Sequence, residues 1–300
     1  CMGMFAIAVW DGAERVLTLG RDRRGEKTLY YGGQGQGDSA CFLFGSELSA
    51  LKAHPAFAAG IDRDALCLLM RHNCIPAPHS IYQGIHKLPP GHLLTVSLAR
   101  REPVLEAYWS LPAVAEAGVA RPFAGTDAQA VDELEVLLKD AVRQQMVADV
   151  PLGAFLSGGI DSSTVVALMQ AQSSRPVKTF TIGFDEEGYN EAVHAKAVAR
   201  HLGTEHTELY VTPQQALDVI PRLPQLYCEP FSDSSQIPTF LVSQLARQHV
   251  TVALSGDAGD ELFAGYNRYV LMRNLWGKLS RLPRGLRAAG AAGIRALSPR

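Results

Sequence analysis

Leu152-Gly-Ala-Phe-Leu-Ser-Gly-Gly-Ile-Asp-Ser-Ser163 is the stretch on which the fold of this chain turns. Leu152 to Leu156 is a short apolar run behind Pro151, the pattern of a buried strand. Ser157 to Ser163 reads as a loop, and a helix is expected from Ser162 to Gln172. The paired Gly158 and Gly159 let the backbone turn tightly and bring its N–H groups to a ligand without interference from Cβ. The hydroxyls of Ser157, Ser162 and Ser163 add donors, and a helix N-terminus adds partial positive charge. Together these make a cradle for a phosphate or pyrophosphate. Asp161 inside it would repel the anion unless a cation intervened, which points to a bridging Mg2+ with oxygen ligands. A Walker A loop would need GxxxxGK[ST], and no such string occurs. A plain Ser/Gly turn with an N-cap accounts for SGG, but not for the whole string directly behind a strand.

A second loop, Ser255-Gly-Asp-Ala-Gly-Asp-Glu261, also follows an apolar strand. Asp257, Asp260 and Glu261 crowd three carboxylates into it, which is unfavourable without a cation or a basic partner. Mg2+ contacts, or an ammonium-bearing substrate, would relieve the repulsion. The simpler alternative is that Asp260 or Glu261 starts a helix over Leu262 to Tyr269.

Between and around these loops the chain alternates strand and helix. Thr126 with Gln129 reads as a capping box opening a helix to about Ala148. Val177 to Phe184, Glu208 to Val211 and Val250 to Leu254 read as strands. Tyr189 to Leu202, 213–223 and 236–248 read as helices. Such alternation predicts a doubly wound parallel sheet, with ligands beyond the carboxyl ends of its strands. The first third is instead β-rich, with apolar runs at Phe5–Trp10, Val16–Leu19, Thr28–Tyr31 and Cys41–Phe44. Helices are expected at Glu47–Lys52 and Asp62–Arg71, and strands again over Ile81–Leu98, around Pro89-Pro90-Gly91. The Ala-, Gly- and Pro-rich stretch from 111 to 126 reads as a linker. The domains are therefore set at 1–112 and 127–300, with 113–126 between them.

Composition excludes several classes. The net charge is −2, with 19% charged and 47% hydrophobic residues, so nothing global calls for nucleic acid. No apolar run reaches membrane-spanning length. Five cysteines, Cys1, Cys41, Cys67, Cys74 and Cys228, form no CxxC pair, against a disulfide framework and in keeping with a reducing cytoplasm. From Leu262 to Arg300 there are eight bases and no acid, read as a solvated basic helix face rather than a membrane or polyphosphate surface.

The two loops, SGGIDSS and SGDAGDELFAGYNRY, resemble the synthetase domain of B-type, glutamine-hydrolysing asparagine synthetases. Thr179-Phe-Thr-Ile-Gly-Phe184, Tyr189-Asn-Glu-Ala192, His201-Leu-Gly-Thr-Glu-His206 and Glu229-Pro-Phe-Ser-Asp-Ser-Ser-Gln236 extend the match. Gly3–Asp11, Arg21-Asp-Arg-Arg-Gly-Glu-Lys27, Tyr30-Tyr31, Ser46-Glu47, Leu88-Pro-Pro-Gly-His92 and Tyr108-Trp109 are similar to the second half of that family's glutaminase domain. The resemblance implies part of an N-terminal-nucleophile glutaminase sandwich (α+β), followed by an ATP pyrophosphatase (PP-loop) domain. It implies adenylation of the aspartate side chain by ATP with Mg2+, release of pyrophosphate, and attack by ammonia drawn from glutamine. Leu156, Ile182, Ser255 and Gly256 would then contact ATP. Ser157, Gly158, Gly159, Asp161, Ser162 and Ser163 would hold pyrophosphate, Asp161 and Asp260 would lie near the metal, and Asp257 would serve the adenylate intermediate. The partners implied are small molecules, and the assembly the resemblance admits is a homodimer. Ala258 replaces a frequent Gly and Thr28 a frequent Pro; Ala258 is costly if a positive φ is required there.

Cys1 sits where an N-terminal nucleophile would, yet the residues after it match a strand inside the glutaminase domain. Cys1 is therefore not expected to be the nucleophile, and the chain is expected to be an internal piece of a longer protein. Two other readings stay open. One is a related synthetase with a different acyl substrate or acceptor, such as a β-lactam-forming or polysaccharide-cluster enzyme. The other is a non-catalytic nucleotide-binding remnant.

Overall fold

A computed structural model describes residues 3–35, 37, 40–99, 102–184 and 190–296; Cys1 and residues 185–189 lie outside them. The chain divides into two compact units, Cys1–Leu138 with Val211–Ser243, and Lys139–Tyr210 with Gln244–Arg300.

The first unit is built on two antiparallel sheets. β1 (Ala6–Asp11), β2 (Val16–Arg21), β6 (His92–Ser97) and β7 (Val104–Ala107) form one, in the order β1-β2-β6-β7. β4 (Cys41–Gly45), β3 (Tyr30–Gln34) and β5 (Ile85–Lys87) form the other. Alternation along β3 sends neighbouring tyrosines to different cores. Tyr31 joins Leu19, Leu29, Leu88 and Leu94, while Tyr30 joins Leu43, Ile85 and the helices α1 (Leu48–Lys52) and α2 (Arg63–His72) through Leu48, Leu51 and Ala65. Asp62 caps α2 by accepting from the Asp64 and Ala65 N–H groups. Arg21 and Asp22 tie the loop after β2. The Arg21 guanidinium donates to the carbonyls of Gly25, Lys27 and Leu88, and the Asp22 carboxylate accepts from the N–H groups of Arg24, Glu26 and Lys27.

Most expected elements of this third are present, with two differences. β7 lies where no strand was expected, and α3 (Leu111–Ala120) occupies part of the stretch read as linker. Neither buries a single residue, so neither leaves the burial period that marks an element in sequence. The Ser110 hydroxyl caps α3, with Pro112 in its first turn.

The second unit carries the alternating series. Thr126 and Gln129 bond reciprocally, as a capping box should, and open α4 (Asp127–Gln145). After it come β8 (Leu152–Phe155), α5 (Ile160–Ala171), β9 (Lys178–Phe184), α6 (Ala192–Leu202) and β10 (Glu205–Val211). The chain then passes through the first unit's segment Val211–Ser243, which holds α7 (Pro213–Val219), α8 (Leu223–Leu226) and most of α9 (Gln236–Ala246), and returns to the second unit for β11 (Val252–Leu254), α10 (Gly259–Phe263), α11 (Asn267–Leu279) and α12 (Arg284–Ala296). The sheet order is β10-β9-β8-β11, with β8 parallel to both β9 and β11. Ala154 and Leu156 of the central strand and its exit pack against Val142, Val166, Met169, Ala195 and Ala199, all buried. The helix expected over Leu262–Tyr269 is instead broken, because Ala264 adopts a left-handed conformation (φ 57°) and ends α10. Among the described residues no helix is long and apolar enough to cross a membrane.

One buried group makes this unit sensitive to acid. His206 Nδ1 lies 2.9 Å from the Thr179 hydroxyl, its Nε2 is buried without a partner among the described residues, and burial holds its pKa below the ordinary 6.5 against the pull of Glu208. Unfolding returns the imidazole to water, where it takes up a proton more readily. The stability carried by neutral His206 is thus complete above about pH 6.5 and drains as the pH falls below it. Thermal melts between pH 7.5 and 5 should show this loss, and His206→Met should flatten it; an unchanged slope would remove His206 as the cause.

Candidate active site

β8 sends the chain to β9 on one side, while β11 returns on its other side. The strand order therefore reverses between β8 and β11, and the loops leaving these two strands emerge together at their carboxyl ends. They are Ser157–Ser163 and Ser255–Glu261, the two loops singled out by composition.

The first loop is shaped by its own hydroxyls. Ser157 Oγ and Ser162 Oγ lie 2.9 Å apart, Ser162 Oγ also accepts from the Ser157 N–H, and Ser157 Oγ accepts from the Gly159 N–H. Gly158 stands at φ 81°, and a Cβ there would strike the His194–Ala195 backbone at the start of α6, at 2.6 to 2.7 Å. The glycine is thus required twice, for its conformation and for its close approach. Gly159 is the N-cap of α5 and offers no side chain to the first-turn N–H groups. Those groups have no partner within the helix and remain available to an anion. Ser163 Oγ is buried and has no hydrogen-bond partner among the described residues.

The second loop is packed onto the first. A Cβ on Gly256 would meet the Ser162 nitrogen at 2.7 Å and the Asp161 carbon at 2.9 Å, and one on Gly259 would overlap the Asp161 carboxylate. Asp161 therefore lies over the backbone of the second loop. Asp257 receives a 2.9 Å hydrogen bond from the Ser255 hydroxyl within its own loop, and the N-cap of α10 is Ala258, with no side-chain capping bond. Asp260 and Glu261 occupy the first turn of α10, a shorter helix than the one expected over Leu262–Tyr269, and the Asp260 carboxylate lies against Gly265. Tyr266 donates to Glu261 at 2.7 Å, a bond that holds the Glu261 carboxyl below its usual range and pushes the phenol up to about 12. The Arg268 guanidinium lies over Tyr266, 4.2 Å from the ring centroid.

Leu156 is fully buried and donates its N–H to Phe180 O, so any nucleotide contact there falls to its backbone. Ile182, partly buried, lies on β9, beside β8 in the sheet. Among the described residues no three His, Cys, Asp or Glu gather to hold an ion. A magnesium ion carried on nucleotide phosphates needs only one or two protein carboxylates, so Asp161 and Asp260 suit a phosphate-borne ion and not a closed protein cage. Gly259 and Arg268 were not singled out from sequence. Both lie inside the matched string SGDAGDELFAGYNRY, where a second small residue and a base after the acids were the available signals.

Residues 133–299 match the asparagine synthase family, and residues 1–109 match the glutamine amidotransferase domain. The chain belongs to the asparagine synthase family. A provisionally named glutamine-hydrolyzing asparagine synthetase 2 of Methanocaldococcus jannaschii is 37% identical over 296 residues, covering 96% of this chain and 54% of that protein. A similarly named protein of Mycobacterium bovis is 35% identical, covering 95% of this chain and 45% of its own. Asparagine synthetase (glutamine-hydrolyzing) 1 of Bacillus subtilis is 33% identical over 95% of this chain and 43% of its own. The chain thus spans about half the length of these relatives.

Ala258 is where this chain departs from the expected glycine, and its φ of 71° is the left-handed conformation that L side chains resist. Ala258→Gly should therefore stabilise the chain by up to about 1 kcal/mol, by relief of the Cβ contact less the added chain entropy. Gly158→Ala should destabilise it by several kcal/mol, since the new methyl meets backbone. Denaturant unfolding checks both; a stabilising Gly158→Ala would contradict the close packing of loop and α6.

Proposed function

We propose that this chain carries the adenylating half of a glutamine-dependent asparagine synthetase, with residues 127–300 as the ATP pyrophosphatase region. Residues 1–112 are then part of an N-terminal-nucleophile glutaminase domain. Aspartate and ATP, with ammonia from glutamine, would give asparagine, AMP and pyrophosphate through a β-aspartyl-AMP intermediate. The observation that carries this is the meeting of two glycine-bearing loops beyond adjacent parallel strands, one with unmet helix N–H donors and the other with carboxylates. Family membership and the names of the relatives support the same chemistry.

In this mechanism the α5 N-terminus and the backbone of Ser157–Gly159 hold the pyrophosphate portion of ATP. Ser162 keeps the loop in shape through Ser157. Leu156, Ile182, Ser255 and Gly256 bound the nucleotide. The aspartate carboxylate attacks the α-phosphorus, and pyrophosphate leaves into the cradle, where backbone donors meet the charge it gains. Bound Mg2+ would screen the phosphate charges, with Asp161 and Asp260 as its protein carboxylates. Asp257, fixed by Ser255, orders the reacting groups by its charge. Ammonia then attacks the activated carbonyl, and the carboxylate oxygen departs with AMP.

Asp257→Asn keeps shape and removes charge. Aspartate-dependent ATP–pyrophosphate exchange should fall by roughly two orders of magnitude, the loss expected for one preorganised electrostatic group. ATP affinity should change far less. Normal exchange with a lowered melting temperature would reduce Asp257 to a structural role. Calorimetry with ATP should also show weak binding in EDTA and tighter binding with Mg2+, a difference that Asp161→Asn diminishes. Equal affinity in both conditions would remove the bridging cation.

A further inference from the structure

The string Glu229-Pro-Phe-Ser-Asp-Ser-Ser-Gln236 has no part in the loops above, and it falls in the range matched by the asparagine synthase family. Yet it packs within the first unit, among residues of the glutamine amidotransferase match. Its attachment is polar. The Glu229 carboxylate pairs with Lys87 Nζ on β5 and accepts the Ile81 N–H at 2.7 Å. Lys87 also donates to Ile75 O and lies 6.0 Å from the centroid of the Tyr30 ring on β3. Burial and then the Glu229 carboxylate push the Tyr30 phenol up. The Glu229 and Lys87 side chains are only 9% and 14% exposed. The Ser232 N–H reaches Asn73 O at 2.7 Å, one further tie to the first third.

Packing holds this strip at Cys228, which lies against the first unit's core and accepts from the Leu48 N–H at 3.3 Å, but the packing is broken to either side. Tyr227 to Phe231 line two cavities, one of about 350 Å3 toward Leu223 and Gln236, the other of about 390 Å3 toward Thr28, Glu47 and Cys74. An apolar contact is non-directional and tolerates sliding beside such voids, whereas an ion pair with a backbone N–H fixes one position. From the strip the connection runs on directly. Gln236 Nε2 donates to Phe231 O, the Tyr227 hydroxyl donates to Gln236 O, and Gln236 starts α9, which leads to β11 and the Ser255 loop.

We propose that Glu229 is a positioning residue that fastens Tyr227–Gln236 to β3 and β5, and so couples the glutamine amidotransferase region to the α9–β11 connection. The coupling rests on the function proposed above; the fastening does not. Glu229→Gln removes the charge and keeps the size. Hydrogen exchange followed by mass spectrometry should show residues 223–236 and the Ile81 amide exchanging at least tenfold faster, with β8 and β9 unchanged. Lys87→Gln should reproduce the pattern and serves if the first variant folds poorly. Unaltered exchange in 223–236, or a uniform rise across the chain, would overturn the fastening. For the coupling, measured in the full-length protein with its glutaminase nucleophile, Glu229→Gln should release severalfold more glutamate per AMP with glutamine as donor, while AMP formation from ammonium chloride stays within twofold. Equal loss with both donors, or an unchanged ratio, would overturn it. A wild type that forms no AMP with either donor would sink the proposed function and leave the exchange result to decide the latch.

Discussion

The closeness of two backbone loops at the carboxyl ends of β8 and β11 is the constraint on which the candidate site depends. Gly256 lies against the Asp161–Ser162 backbone and Gly259 against the Asp161 carboxylate, at separations that leave no space for a Cβ. Gly158 meets α6 in the same manner. Parallel pairing of β8 with β11 sets the two loops side by side, and the reversal of strand order opens a crevice between their exits. Small residues at three points then determine how deeply the loops interlock. Each carries little energy of its own; each removes an obstacle to placing N–H donors and carboxylates around one spot.

The arrangement gives up stability for that placement. Ala258 is held in a conformation that costs about 1 kcal/mol for an L residue. The α5 N-terminus goes without a side-chain cap, which elsewhere contributes about 1 kcal/mol. Ser163 Oγ is buried with no partner among the described residues, another penalised group. Strain and unmet donors concentrated in one place are the pattern of a site shaped for a ligand, with the cost offset by the buried packing of β8 beneath it.

Much of this was legible in sequence because it is local. A strand, a glycine pair and a helix start lie within a dozen residues, and the order of turn chemistry and apolar run is enough to place them. Ala258 was legible too, as the residue standing where the resemblance puts a frequent glycine. What escaped was non-local or unperiodic. α3 and β7 are exposed along their whole length, so no burial rhythm announced them. Ala264 ends α10 by a left-handed turn that alanine seldom signals. Glu229 pairs with Lys87, over a hundred residues earlier in the chain, and no local pattern records such a partner.

The first unit is organised differently, around carbonyls and N–H groups gathered by Arg21 and Asp22 and around the two faces of β3. Both halves matter to the proposed reaction, but the central chemical claim concerns which bond to phosphorus is broken. Aspartate labelled with 18O in its side-chain carboxylate tests this directly, with the products analysed by phosphorus NMR and mass spectrometry. Adenylation at the α-phosphorus and subsequent amide formation transfer one labelled oxygen to AMP and leave pyrophosphate unlabelled. Label in inorganic phosphate, with ADP as the nucleotide product, would contradict the account.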